Sequence, residues 1–522
     1  MKPLLKLPIG IQDFATIRTD GYLYVDKTQH LYNLITGGKV YFLSRPRRFG
    51  KSLLISTLET IFKTERHLFK DTWLDQSDYT WPKHPVVRID MSELPTKETP
   101  QKFNIAMLNL LQRIAREHQV ALPEITMGIG VCLKELILLL NEKYTKVVVL
   151  IDEYDKPILD NINDPAMAQT MRDILRQFYT ILKAQDGNLR FVLLTGVTKF
   201  SRVSVFSGLN NLQDLTMTDK YATLCGYTQA ELVNVFTPWI EQLALQHNRT
   251  VTDELAMIKH WYNGYQFSRR GERVYNPFST LLLFEHQEYR PHWFATGTPK
   301  FLIDLIEQAK LAPEQIENLE VSDTDLESHD VMTMGLVALL YQTGYLTIQS
   351  YDDEARLYRL GYPNFEVKES FTRQLFERMS EAPLQEQMKL ISDVFHSIRA
   401  RDYAQMFEVL KTFFAVIPYQ LHQPTEKYYH SLFYLIMHLV GYRVNAEVST
   451  HRGRIDAVLV LKDRVLIFEF KLNQSADVAL QQIHDKQYAQ PYQQSGKPVL
   501  LFGVNFDTTA RNIVEWKMEM IK

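Results

Sequence analysis

Two apolar patterns alternate along the first part of the chain. Short apolar runs stand at Val40–Leu43, Pro85–Ile89, Val147–Ile151 and Phe191–Leu194. The third is unbroken and mostly β-branched, which reads as a strand buried on both faces. Between the runs, apolar residues recur at helical spacing. Leu54, Leu58, Ile61 and Phe62 form one such set, and others lie at about 102–118, 131–142 and 166–184. Strands that alternate with helices predict a parallel sheet covered by helices. Ahead of the first strand, Asp26 is placed to cap a helix over Lys27–Ile35, and Gly37-Gly38 end it. The alternative use of this lead-in is as a wall of a nucleotide base pocket.

Beyond about residue 216 the pattern is mainly helical. Thr228 is a cap for a helix through Leu232 and Phe236, and aromatic-rich turns follow at Trp261–Tyr265 and Tyr275–Phe278. Residues 291–400 carry charged helical patterns, including Phe301–Leu311 and Phe371–Met379, with no evident chemistry. The pattern changes again at the far end. A helix over Tyr428–Val440 ends at Gly441, and strands are expected at Val444–Val448, Arg454–Val460 and Arg464–Lys471. A helix through Ala479, Ile483 and Tyr488 and a last strand at Pro498–Val504 complete the series.

Candidate chemistry sits at the ends of these elements. The first strand runs into Ser44-Arg45-Pro46-Arg47-Arg48-Phe49-Gly50-Lys51-Ser52, and a helix starts there. Gly-Lys-Ser at a strand-to-helix turn is the second half of a phosphate-binding loop. Backbone N–H groups of Gly50 and its neighbours would face the anion, and the helix dipole favours negative charge there. Lys51 can reach the β- and γ-phosphates of ATP, and the Ser52 hydroxyl can ligate Mg²⁺. The full pattern has glycine where this chain has Arg45. The buried strand at 147–151 ends in Asp152 and Glu153. Asp152 can hold Mg²⁺ through water, and Glu153 can orient the attacking water. In a parallel sheet Thr195, ending the fourth strand, falls beside Asp152 as a candidate sensor of the γ-phosphate. Thr198 and Lys199 fit equally as turn residues.

The second constellation is C-terminal. Glu469 and Lys471 are two apart on one strand and share a face, and Asp456 comes from the neighbouring hairpin strand. Charges on otherwise apolar strands need compensation, and a divalent metal, Mg²⁺ or Mn²⁺, supplies it. Lys471 would position water or stabilise phosphate charge. The plain alternative is an exposed cross-strand ion pair.

Composition narrows the rest. At roughly 150 residues per domain, 522 residues suit three or four domains. A net charge of −3 excludes a whole-chain polycation but not a local basic groove. Cys132 and Cys225 are the only cysteines, which argues against a disulfide framework and suits a cytoplasmic location. No signal-type N-terminus and no stretch of ~18 apolar residues is present, so no membrane partner is expected.

The runs Arg45–Ser52, Asp152-Glu153-Tyr154-Asp155 and Thr195–Ser201 resemble the predicted AAA-ATPase-like family of bacterial proteins, itself similar to the signal-transduction ATPases with numerous domains. The resemblance covers roughly residues 5–215. It implies that the Arg-Pro-Arg-Arg-Phe-Gly-Lys run replaces the usual first glycine. Arg47 and Arg48 then become candidates for phosphate contact or for facing a neighbouring subunit. The order Asp456, then Glu469-Phe470-Lys471, between a preceding helix and a following helix and strand, is similar to the PD-(D/E)XK nuclease superfamily over about 418–515. Departures are Ile455 in place of proline and Lys486 in place of a tyrosine four residues after Gln482. The superfamily's earlier acid has two candidates, Glu447 and Glu426.

The expected architecture is α/β. A P-loop NTPase core occupies 1–215, a helical lid 216–290, a helical connecting segment 291–400 and a restriction-endonuclease-like domain 401–522. The expected function is an ATP-binding, ATP-hydrolysing module coupled to a Mg²⁺-dependent nuclease. Its partner would be nucleic acid, DNA ahead of RNA, and a homo-oligomer stays open. Defence or DNA processing is the setting that such a pairing suggests. The alternative is a nucleotide-switched signalling or scaffold protein whose terminal domain only binds.

Overall fold

The structure, a computed structural model, describes residues 4–123, 128–199, 209, 211–293, 300–309, 311–326, 335–418, 425–442, 444–450, 453–494 and 496–521. The chain divides into two compact units. Met1–Gly297 with Asn318–Val367 forms the first, and Thr298–Glu317 with Lys368–Lys522 forms the second.

The first unit is built on a parallel sheet of β1 (Val40–Ser44), β2 (Val86–Asp90), β3 (Val147–Asp152), β4 (Leu189–Gly196) and β5 (Gln213–Asp214). The spatial order is β2-β3-β4-β1-β5. Every residue of β1 and β3 is buried, as expected from runs without polar alternation. One face is covered by the helices Pro100–Glu117, Ile129–Lys143 and Pro165–Ala184. Phe103, Leu111, Leu136, Met171 and Phe178 from these helices join Val149 and Ile151 in one core. Because all strands run the same way, Ser44, Asp152 and Gly196 end at one edge of the sheet. Between β1 and β3 lies β4, so Thr195 stands between the phosphate loop and Asp152.

After β5, Thr228 closes a capping box with Glu231 at the start of the helix Gln229–Gln246. The helices Val251–Tyr262 and Pro277–His286 pack with it around Phe236, Tyr262 and Phe284. Leu7, Leu23 and Val25 of the N-terminal lead-in belong to this same cluster.

The middle region is helical, with Phe365–Ser380, Leu384–Ala400 and Tyr403–Val416 as its long helices. It also holds a small antiparallel sheet of β6 (Leu319–Val321), β7 (Thr347–Asp352) and β8 (Leu357–Gly361), in the order β6-β8-β7. Periodicity did not reveal it. The first strand has only three residues, and Thr347–Asp352 and Leu357–Gly361 mix polar with apolar residues, unlike the unbroken apolar runs of β1 and β3.

In the second unit the helix Glu426–Leu439 precedes β9 (Val444–Thr450), β10 (Gly453–Val460) and β11 (Val465–Leu472). The helix Ala476–Asp485 then crosses to β12 (Val499–Asp507), which pairs parallel with β11. The sheet order is β13-β12-β11-β10-β9. Its outer strand β13 (Asn512–Ile521) was not expected. It lies at an edge and carries Glu515, Lys517 and Glu519 among its apolar residues, which hides it from an apolar count. Phe433 of the first helix packs on Phe468 and Phe470 at ring distances of 4.9 and 5.0 Å. This contact ties that helix to the strand bearing Glu469 and Lys471.

Two candidate active sites

The loop after β1 ends at Gly50, whose φ of 89° is left-handed, a conformation open to glycine without strain. Gly50 is the N-cap of the helix Lys51–Phe62, and among the described residues no side chain caps that helix. Its first N–H groups are thereby kept for an anion. The Lys51 ammonium is buried and folds back on the loop, donating to the carbonyls of Arg45 at 2.9 Å and Pro46 at 3.0 Å. Burial lowers its pKa, opposed by the carboxylates of Asp152 and Asp155. Ser52 lies in the first turn of the same helix.

Across the strand ends, Asp152 is fully buried and its Oδ1 accepts the Thr195 hydroxyl at 2.6 Å. Its Oδ2 has no hydrogen-bond partner among the described residues. Glu153 is half-buried with φ 51°, and burial raises its carboxyl pKa against the nearby Lys156 and Lys51. Asp155 has a role that sequence reasoning missed. It is buried and accepts the amides of Val197 and Thr198 at 3.0 and 2.6 Å and the Thr198 hydroxyl at 2.6 Å. It therefore fixes the loop behind Thr195. Thr198 belongs to that fixed turn, and Lys199 pairs with Asp214 at 2.9 Å.

Arg45 does not face the mouth of the loop. It is buried, and its guanidinium donates to the carbonyls of Ser44, Thr216 and Tyr221 at 2.8, 2.8 and 3.1 Å. It also stacks 4.2 Å from the centre of Phe267. The rest of the motif is held in the same way. Pro46 packs on Gly344 so closely that a methyl group there would stand 2.8 Å from it. Arg48 stacks on Phe278 at 3.8 Å, and Phe49 meets Tyr265 and Phe267 edge-on at 4.7 and 5.4 Å. The Arg47 carbonyl accepts the Trp293 indole N–H at 3.2 Å, whereas the Arg47 residue as a whole is exposed. Trp293 is anchored in turn, since its amide donates to Glu366 at 2.6 Å. Glu366 also accepts the Ser279 hydroxyl at 2.9 Å, and burial pushes its carboxyl pKa up to about 8.

In the lead-in the helix starts at Thr28 with Lys27 rather than Asp26 as its N-cap, and Asp26 stands one residue earlier. Asp26 accepts the Thr28 amide at 2.8 Å at the start of the helix Thr28–Gly37. Beside Gly50 a cavity of about 80 Å³ is lined by Tyr24, Val25, Leu53, Cys225 and Tyr227.

In the second unit, β10 and β11 pair Ala457 with Phe468. One step further along the hairpin, Asp456 Oδ2 accepts the Phe470 amide at 2.7 Å. Glu469 is buried, and its Oε1 accepts the Lys471 ammonium at 3.0 Å and the Gln482 amide. Its Oε2 has no partner among the described residues. Burial and the charge of Asp456 raise the Glu469 pKa, against Lys471. Lys471 also donates to the Phe470 carbonyl at 2.9 Å. Of the two earlier acids, Glu426 lies in the first turn of its helix within the field of Lys471 and Asp456, and burial raises its pKa. The backbone of Glu447 sits on β9 between the pairs Ala446–Ala457 and Val448–Ile455, and its side chain lies outside the described residues. Lys486 is exposed at the end of its helix.

Among the described residues no group of three or more His, Cys, Asp or Glu side chains could hold a metal by itself. Mg²⁺ does not need one, because it uses one or two carboxylates and takes its remaining ligands from water and phosphate. The unpartnered oxygens of Asp152 and Glu469 fit that requirement. A buried carboxylate oxygen without a partner is otherwise unfavourable.

The sheet order, the uncapped loop helix and the hairpin acids define a P-loop protein of ATPase type joined to a nuclease-superfamily domain. Residues 8–206 match the model of the predicted AAA-ATPase family, and residues 424–516 match that of the PD-(D/E)XK nuclease superfamily. The chain belongs to the predicted AAA-ATPase-like family and carries a C-terminal PD-(D/E)XK superfamily domain. A full-length relative in Azotobacter chroococcum mcd 1, named as an uncharacterized protein in the vnfD 5' region, is 40% identical over 529 residues and spans 99% of both chains. Two Aeropyrum pernix structures are similar at 13% identity, each covering 66% of this chain and 91% of its own. They are the ORC1 protein in complex with DNA, TM-score 0.24, and the ORC2 protein as ADPNP-ADP complexes, TM-score 0.27. At those scores the likeness carries no functional weight. No helix among the described residues is long and apolar enough to cross a membrane.

Restoring the missing glycine should harm the protein. Arg45→Gly removes a donor from three buried carbonyls, so stability should fall by on the order of 3 kcal/mol in urea denaturation. A second expectation concerns pH. Glu366 keeps its proton to about pH 8 when folded and loses it near 4.5, its ordinary value, when unfolded. Folding takes up a proton between those values, so stability falls as pH rises through that window. Glu366→Gln keeps an acceptor for Trp293 without the charge. Its melting temperature should exceed that of the wild type at pH 8 and approach it near pH 4.5.

Proposed function

We propose that the chain is an ATP-hydrolysing module coupled to a divalent-metal-dependent nuclease that cuts phosphodiester bonds in nucleic acid, DNA ahead of RNA. The observation that carries this reading is the same at both sites. A buried carboxylate oxygen without a partner among the described residues belongs to an acid in the field of a lysine, and that lysine is itself satisfied by neighbouring carbonyl or carboxylate oxygens. We read residues 1–215 as the ATPase core, 216–290 as its lid, 291–400 as the connecting segment and 401–522 as the nuclease-type domain.

In the ATPase step Gly50 and the uncapped helix start bind the phosphates, and Lys51 swings from the loop carbonyls to them. Ser52 and Asp152 would hold Mg²⁺, and Thr195 fixes the rotamer of Asp152. Glu153 orients and deprotonates the attacking water, and its raised pKa suits a proton acceptor. The base would rest against Tyr24, Val25 and Tyr227. The exposed Arg47 is left for phosphate or a neighbouring subunit.

In the nuclease step Asp456 and Glu469 would hold the metal, with Glu426 or Glu447 as the further acid. A metal held there would supply charge neutralisation at the phosphate and a more acidic water. Lys471 orients that water or binds the scissile phosphate, and Gln482 holds Glu469 in place.

Three substitutions separate the steps. Lys51→Ala should abolish ATP binding and lower hydrolysis by more than ~100-fold. Glu153→Gln should keep ATP binding and lose about 100-fold in hydrolysis, read as phosphate release. Asp456→Ala should abolish cutting of DNA or RNA with Mg²⁺ or Mn²⁺, assayed with ATP, ADP and a non-hydrolysable analogue. A wild type that binds divalent ions in none of these states would favour the nucleotide-switched scaffold instead.

A further inference from the structure

The helix Glu426–Leu439 carries one feature that the proposed chemistry does not use. His430 stands one turn after Glu426 and is 6% exposed. Its Nε2 lies 2.6 Å from the carbonyl oxygen of Asp456. A carbonyl only accepts, so this nitrogen carries the proton and donates. The other ring nitrogen, Nδ1, lies 3.7 Å from Glu314 Oε1, too far for a direct hydrogen bond. The Glu314 side chain has no exposed surface, and both its oxygens accept the Ser431 hydroxyl, at 3.2 and 2.9 Å.

A carboxylate and an imidazole in this position are costly to bury, and apolar residues would pack the same helix against the sheet at lower cost. What they accomplish is visible at Asp456. Its neighbours Ile455 and Ala457 are in the β9–β10 ladder, and pairing with β11 ends at Ala457. Beyond that point the Asp456 carboxylate is held by the Phe470 amide, and its peptide carbonyl by His430. The carbonyl direction sets the backbone dihedrals at Asp456 and so aims its Cβ. A ligand carboxylate must be held to within ~0.5 Å to be effective.

We infer that His430 and Glu314 are positioning residues of the nuclease-type site. His430 clamps the backbone of Asp456, and Glu314 with Ser431 fixes the ring that does so. The inference rests on the reading of Asp456 and Glu469 as metal-holding residues. Glu314 reaches this site from the segment Thr298–Glu317, so that stretch completes the second unit chemically as well as spatially.

The test uses the full chain without nucleotide and Mn²⁺ as probe, with binding followed by calorimetry and Asp456→Ala as the blank. His430→Phe removes the donor and should weaken Mn²⁺ binding 10–100-fold, with a matching rise in the metal needed for half-maximal cutting. His430→Gln can place an amide donor where Nε2 was and should recover most of the affinity. Glu314→Gln keeps an acceptor for Ser431 but removes the charge beside the ring, and should fall between the two. Melting curves confirm that each variant is folded. Folded His430→Phe with wild-type Mn²⁺ affinity overturns the inference. So does a folded His430→Gln that loses as much as His430→Phe, because the donor would then not be what matters. If the wild type binds no more Mn²⁺ than Asp456→Ala, the metal-site reading itself fails and the inference falls with it.

Discussion

A phosphate loop works only if the first N–H groups of its helix are left for an anion, and this imposes a constraint on everything around it. The chain cannot stabilise the turn before Lys51–Phe62 with a capping side chain, because that would occupy the site. It holds the loop from behind instead. Arg45 is bolted to three carbonyls, Pro46 lies on Gly344, and Arg48 stacks and Phe49 packs edge-on against the aromatic turns at 263–278. The carbonyl of Arg47 is pinned by Trp293, which Glu366 anchors. The aromatic turns whose purpose was open in the sequence are thus the bed of the loop.

The second unit meets a similar constraint with other parts. On the proposed reading its acids share one metal and each keeps an oxygen open to it. Glu469 is held through one oxygen by Lys471 and Gln482, and the other has no partner among the described residues. Asp456 is held by a backbone amide on one side and by His430 on the other. In both units rigidity comes from contacts to one carboxylate oxygen, and the other, Asp152 Oδ2 or Glu469 Oε2, has no partner among the described residues. Asp155 does the same for the loop behind Thr195.

The fold was legible wherever burial on both faces or strict periodicity wrote it into the chain. Residues 40–43, 147–151 and 191–194 could be read as central strands because nothing polar interrupts them. The neighbourhood of Asp152 and Thr195 followed from the parallel direction of those strands. Short or edge strands were illegible. β6 has only three residues, β7 and β8 mix polar with apolar positions, and β13 carries charge as an edge strand does on its open side.

The amino-acid order by itself determined the elements, their direction and the residue types at their ends: Gly50-Lys51-Ser52, Asp152-Glu153, Asp456 and Glu469-Phe470-Lys471. These signals are local, set by spacings of a few residues. Only the tertiary structure decided what the exceptions mean. Arg45 looked like a lost glycine and is a buried support. Glu426, one of two acids left open, lies in the field of Lys471 because its helix docks on β11 through Phe433. Ser431 and Glu314 are 117 positions apart and share a hydrogen bond. No periodicity links such residues, because contacts of that range are chosen by packing, where the cost of burying a charge is met by whichever partner the fold brings to it.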